Sequence, residues 1–228
     1  MRKPTRRLIV ILGVVCAVGI VLSVCSAWQL SEWGDVREWW GLGLNLGTEL
    51  VGAVLVYVAL ELVVVRAEKR DALKRRLLRE LGSGVHDVAI AAAEELTRWG
   101  WLHDGSLQGA NLEGAELEGA KLIKADLRGA LLRGANLTGS ALIGANLAGA
   151  ELQYASLGKA NLWLANLERA RLSAANLESA ALVQANLQGA DLQEAKLQSA
   201  NLRHAKYDGR TIWPEDFTPP PEAVKVEE

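Results

Sequence analysis

Aromatic side chains other than tryptophan, and methionine, are nearly missing from this chain. Among 228 residues there are one Phe, three Tyr and one Met. Leu and Ala carry the apolar share instead. So uniform a supply suits many equivalent core positions, as in a repeat array, better than a core of unlike large residues. Cysteine is scarce as well. Cys16 and Cys25 are the two present, both in the first hydrophobic run and without metal-ligand spacing, so the rest of the chain has no disulfide framework. The three histidines, His86, His103 and His204, pair with neither Cys nor carboxylate at ligand spacing. No phosphate loop or dinucleotide fingerprint occurs. These absences leave no catalytic, metal or cofactor-binding residue to name and no small-molecule substrate. A net charge of −2 gives no electrostatic footprint for nucleic acid.

Long uncharged runs, by contrast, are present. Leu8 to Leu30 is 23 residues without a charge, enough to span roughly 30 Å of hydrocarbon at about 1.5 Å per residue. Arg2, Lys3, Arg6 and Arg7 precede it and place the N-terminus in the cytoplasm. A cleaved signal peptide is the competing reading, with Cys25-Ser26-Ala27 as a tolerable site, but the run exceeds the usual apolar region of about 7–15 residues. The acidic linker Ser31 to Trp40 carries Trp33, Trp39 and Trp40, suited to the far interface. A second run, Leu42 to Val65, completes an expected transmembrane hairpin over 1–65, with spans at 8–30 and 42–65. It contains Glu61 near its end and Glu49 deeper. Asn45, Thr48 and Glu49 share one helical face. They read first as a polar tie between the two helices, with transport or an oligomeric pore through Glu49 as the alternative.

Residues 66–104 read as a basic juxtamembrane and capping region. Arg66, Lys69, Arg70, Lys74, Arg75, Arg76 and Arg79 outnumber Glu68, Asp71 and Glu80 and leave a charge of +4. This end of the second span is therefore cytoplasmic too, which places both termini inside a bacterial inner membrane. The segment is helical in pattern, with Leu73, Leu77, Leu78 and Leu81 on one stripe, and its basic face suits anionic headgroups. Ser83 is placed to cap a second short helix through about Trp99, ended by Gly100. That helix is expected to close the N-terminal end of the repeat array.

From Gly105 the chain falls into a period of five. Leu recurs at every fifth position from Leu107 to Leu202, twenty times without exception. Two residues before each Leu is Ala, except at Gly105 and Ser140, and Asn or Asp often stands between them. Five residues advance about 140° on a helix, so Leu would spiral over every face. Another geometry is required. Runs such as Ala135-Asn136-Leu137-Thr138-Gly139 and Ala185-Asn186-Leu187-Gln188-Gly189 resemble the pentapeptide-repeat family motif, over Gly105 to about Ala205. The resemblance implies a right-handed quadrilateral β-helix, with one pentapeptide per face and four per coil, at 105–207. The twenty repeats would then form five coils, roughly 24 Å long at about 4.8 Å per stacked strand. At 208–228 Trp213 and Phe217 are expected to plug the last coil, and Pro219-Pro220-Pro221 to open a disordered tail.

Residues twenty apart then stack, and the position after each Leu points outward. One column reads Gln108, Arg128, Ala148, Glu168, Gln188. The next reads Glu113, Arg133, Gln153, Ser173, Gln193, and the third Glu118, Thr138, Gly158, Glu178, Gln198. The fourth reads Ile123, Ile143, Trp163, Val183, Arg203. Only the fourth is apolar, and Leu164, Ala141 and Ala181 extend it. A contiguous exposed apolar patch marks a surface for a protein partner or for self-association. Asn146, Asn166 and Asn186 stack likewise and read as a structural ladder. Some soluble members of the family protect DNA gyrase by resembling DNA in shape and charge. Here nine acidic and nine basic residues between Gly105 and Ala205 cancel, whereas a phosphate mimic should be strongly negative. The sequence therefore points to a membrane-anchored, non-enzymatic scaffold.

Overall fold

The computed structural model describes residues 36–227, with side chains from Val51 onward. The predicted span 8–30 lies outside the described residues. The chain divides into two units, Met1–Arg70 and Asp71–Glu228.

In the first unit the run 42–65 lies within one continuous helix, α1, Val36–Leu81. Among the described residues no helix is long and apolar enough to cross a membrane. Within the eighteen residues from Val51, Glu61, Arg66 and Glu68 interrupt the apolar stretch. The expected hairpin is therefore not supported by the described residues. Asn45, Thr48 and Glu49 fall within α1, but their side chains lie outside those described.

The second unit starts with the last turns of α1. Leu77 and Leu81 are buried, and Leu73 and Leu78 are partly so, as their shared stripe requires. Helix α2 comes next, His86–Arg98. It starts later than the sequence suggested, with Val85 at its N-cap and no side-chain cap bond. Ser83 instead folds back within the loop, its hydroxyl accepting the N–H of Val85 at 3.1 Å. The helix ends in a Schellman motif. Gly100 N–H donates to the Thr97 carbonyl at 3.0 Å and Trp101 N–H to the Leu96 carbonyl at 2.9 Å. Ala89, Ala92, Ala93 and Leu96 of α2 are buried in the same core as Leu102 and Leu107. The loop between the helices is tied to the coils, for Glu116 N–H donates to the Ser83 carbonyl at 3.0 Å. A Cβ at Gly82 would come within 2.7 Å of the Asn111 carbonyl oxygen, so only glycine lets the loop pass there.

The coils have four sides. Parallel bridges join residues twenty apart, from Asn111 with Leu131 through Asn186 with Lys206. Four five-residue units therefore make one turn. Each unit closes on a β-turn: Ala115 N–H, for instance, donates to the Leu112 carbonyl at 3.1 Å, and the residue before that Ala, Gly114, has φ +63°. Positive φ at the third turn position is the signature of a type II turn. It recurs in every unit, with glycine at nine of the twenty positions and a side chain at eleven. All twenty Leu are buried inside, each worth about 1.5–3 kcal/mol relative to exposure. The Ala two residues earlier fits where the chain turns the corner.

At the C-terminal end the register slips by one residue, and Asp191 pairs with Ile212. Buried Asp208 makes the slip possible. One of its carboxylate oxygens accepts Gly189 N–H at 2.9 Å, a bond that in earlier coils goes to a carbonyl nineteen residues on, as Gly149 N–H to Glu168. Tyr207, Trp213 and Phe217 pack on the core below, with ring centroids 5.5 and 5.3 Å apart. The tail is not disordered as its composition suggested. Strand β2, Val224–Lys225, pairs in parallel with β1, Lys206–Tyr207. The last coil leaves backbone groups there that need partners, and the tail supplies them.

Candidate interaction site

The apolar column is held in line by backbone bonds. Lys124 N–H donates to the Ile143 carbonyl at 2.9 Å, Gly144 N–H to Trp163 at 2.8 Å and Leu164 N–H to Val183 at 3.0 Å. Ile123, Ile143, Trp163 and Val183 therefore stand one above another along one edge. Ile123 is 43% exposed, Trp163 45% and Leu164 50%, while Ile143 and Val183 are half-buried between them.

Trp163 is fixed at both ends. Its backbone N–H donates to Asn161 Oδ1 at 3.2 Å, and its indole N–H to Gln184 Oε1 at 3.3 Å. Leu164 occupies the turn position with φ +59°, a backbone conformation that disfavours a bulky side chain. Below this edge Ser140 replaces the Ala of other units, and its buried hydroxyl has no partner among the described residues.

The remaining columns are mostly polar, and some of their members are paired. Glu151 lies between Arg133 at 3.8 Å and Arg171 at 3.5 Å. Asp126 accepts two bonds from Arg128 at 2.8 Å and one from Gln108 at 2.7 Å. The Arg128 guanidinium holds the Asp126 carboxyl down at about 2, against the opposing effect of burial. Exposed apolar residues on other sides of the coils include Leu131, Tyr154 and, at the C-terminal end, Ile212. Tyr154 stands at the positive-φ position of another corner, outside the column directly after Leu.

Asn at the position before Leu has a role that the spacing of twenty did not reveal. Its side-chain oxygen accepts the N–H two residues on in its own unit, as Asn146 does from Ala148 at 3.2 Å. The ladder exists as well: Asn166 Nδ2 donates to Asn146 Oδ1 at 3.3 Å and Asn186 Nδ2 to Asn166 Oδ1 at 3.1 Å.

Of the basic residues assigned to a lipid surface, Arg66, Lys69, Arg70, Arg75 and Arg79 are exposed on α1. Lys74 is engaged within the protein. It bonds Asp104 at 2.7 Å and lies 5.6 Å from the ring centre of Trp101. Arg76 pairs with Glu80 at 2.7 Å. Among the described residues no group of three or more His, Cys, Asp or Glu could hold a metal ion.

The family model for pentapeptide repeats matches residues 102–134, 130–169 and 170–206. Solved structures with a related sequence include a pentapeptide repeat protein of the cyanobacterium Cyanothece 51142. It is 35% identical over 42% of this chain and 65% of its own, just under two thirds of its length, with a TM-score of 0.42. One from the Arabidopsis thaliana thylakoid lumen is 30% identical over 46% of this chain and 70% of its own, with a TM-score of 0.36. One from Nostoc Pcc 7120 is 31% identical over 57% and 88%, with a TM-score of 0.21. No curated protein matches the chain. The repeat match and the sequence identities decide the class: the chain belongs to the pentapeptide-repeat family. Its coils are accordingly those of a right-handed quadrilateral β-helix.

Proposed function

We propose that this chain is a membrane-anchored, non-enzymatic interaction module whose β-helix binds a protein partner along the Ile123–Val183 edge. One observation carries it: of the four columns directly after Leu only this one is apolar, and Ile123 and Trp163 in it are exposed, with exposed Leu164 beside them. A soluble surface does not gain by exposing such a strip.

The membrane attachment is supported by two features. The uncharged run Leu8 to Leu30 is long enough to span. On α1, Val51, Leu55, Val56, Leu60, Leu62 and Val63 are all exposed, and apolar residues exposed on several sides of a helix call for a covering of lipid or of other apolar helices. In this arrangement both termini lie on the cytoplasmic side of a bacterial inner membrane.

A photo-crosslinking amino acid placed at 163 in the full chain, and separately at 153, tests the partner edge. Adducts from position 163 and none from 153 are expected. Equal adducts from both would remove the edge from the proposal. Resistance of the full chain to alkaline carbonate extraction, lost on deleting 1–65, tests the anchor; extraction of the full chain would refute it.

A further inference from the structure

The bonds that build the coils also show where building stops. In the interior, each unit offers three groups to the next coil. Leu177 N–H donates to the Lys196 carbonyl at 2.8 Å, Ser179 N–H to the Gln198 carbonyl at 2.9 Å, and the Ala175 carbonyl accepts Lys196 N–H at 2.9 Å. One coil later the equivalent groups are Leu197 N–H, Ser199 N–H and the Ala195 carbonyl. None of the three has a partner among the described residues. On the adjoining face Leu202 N–H and the Ala200 carbonyl have no partner among the described residues, while His204 N–H donates to the Glu222 carbonyl at 2.8 Å. The other two faces are closed by the chain itself, through Ile212 on Asp191 and Val224 on Lys206.

A groove of about 650 Å³ lies along the first open edge, between Gln193–Ser199 and the turn Pro214–Phe217. Its rim carries Glu194, Glu215 and Asp216 against the single Lys196. Unpaired backbone groups on a strand edge are a template for another strand.

We propose that this edge receives an extended, basic peptide segment of a partner protein, added in parallel as the missing strand of the next coil. One peptide residue would donate its N–H to the Ala195 carbonyl and accept from Leu197 N–H, as Lys196 does for Ala175 and Leu177. The carbonyl two residues later would accept from Ser199 N–H. Main-chain bonds of this kind supply affinity with little demand on sequence, and the acidic rim selects the charge. A second copy stacked end to end fits less well. Ile212 and Val224 already occupy two of the four edges, and a like copy would bring the same acidic rim against this one. The proposal is independent of the apolar edge, which lies on the side of the coils and not at their end.

The test uses the full chain and a labelled peptide, alanine-lysine-leucine-lysine-lysine, with a variant N-methylated at the first lysine. In the free chain the amides of Leu197 and Ser199 should exchange with deuterium at least a hundredfold faster than those of Leu177 and Ser179, and the peptide should slow them. N-methylation should weaken binding at least tenfold. Glu215→Lys with Asp216→Lys should weaken it too, without altering exchange at Leu177. Three results would overturn the proposal: protection of Leu197 and Ser199 equal to that of Leu177 in the free chain, equal binding of the methylated peptide, or protection arising from self-association without peptide.

Discussion

The asparagine before each leucine acts first within its own turn, and substitution can show this. Asn161 accepts Trp163 N–H. Asn161→Ala should cost about 1 kcal/mol in urea unfolding, while Asn161→Asp, which keeps the acceptor, should cost less. Ser140→Ala should raise stability, by about 1 kcal/mol, because it removes a buried hydroxyl without a partner; a loss would show that the hydroxyl is satisfied. Like Asp126, Asp208 contributes to the acid limb. The side-chain bond from Arg210 is the main reason its pKa falls from the ordinary 3.8 to about 2, with the Gly189 and Arg210 N–H groups adding to it against burial. A depressed carboxylate pKa stabilises the fold above about pH 4, and that stability is lost as pH falls through about 2. Asp208→Asn should therefore be less stable at pH 7, with a flatter dependence between pH 4 and 2, in unfolding followed by circular dichroism. The sequence displayed the Asn columns as a ladder, because a spacing of twenty is visible in a string. The bond inside the turn was not legible, since it depends on knowing that a type II turn leaves that N–H without a backbone partner.

The coil is an element whose core is repeated, so its parts differ mainly in how well they are covered. Leu147 in a central coil is fully buried with coils on either side, and Leu147→Ala should cost about 2–5 kcal/mol. The capping segment is more sensitive to shape than to hydrophobicity. Gly82→Ala would drive a Cβ against the Asn111 carbonyl, and the loop must shift. A loss of about 1–3 kcal/mol is expected, with α2 exchanging its amides faster than the coils do. The repeated Leu and the Schellman glycine, Gly100, were legible because each is a local pattern with a single geometric meaning. The start of α2 was not, because Ser83 satisfies a loop N–H and leaves Val85 to begin the helix. Nor was β2, since Val224 and Lys225 are held by backbone pairing to β1, which composition does not encode.

At the scale of the molecule, a symmetrical framework carries an asymmetrical surface. The five-residue period makes four equivalent edges, and nothing in the framework requires Ile, Ile, Trp and Val on one of them. That inequality was legible because it appears only when the string is folded at twenty, and the bridges at that spacing place those residues together. The membrane hairpin was read from runs that extend beyond the described residues, and α1 within them holds no spanning segment. The most direct measurement compares two full-length variants of matched charge: Ile143→Asp with Trp163→Asp on the apolar edge, and Gln153→Asp with Ser173→Asp on a polar one. With folding of both verified by circular dichroism, neighbours captured by crosslinking in membranes are counted. An interface on the apolar edge requires that the first variant lose its principal neighbour and the second keep it. Retention by both, or loss by both, would contradict it.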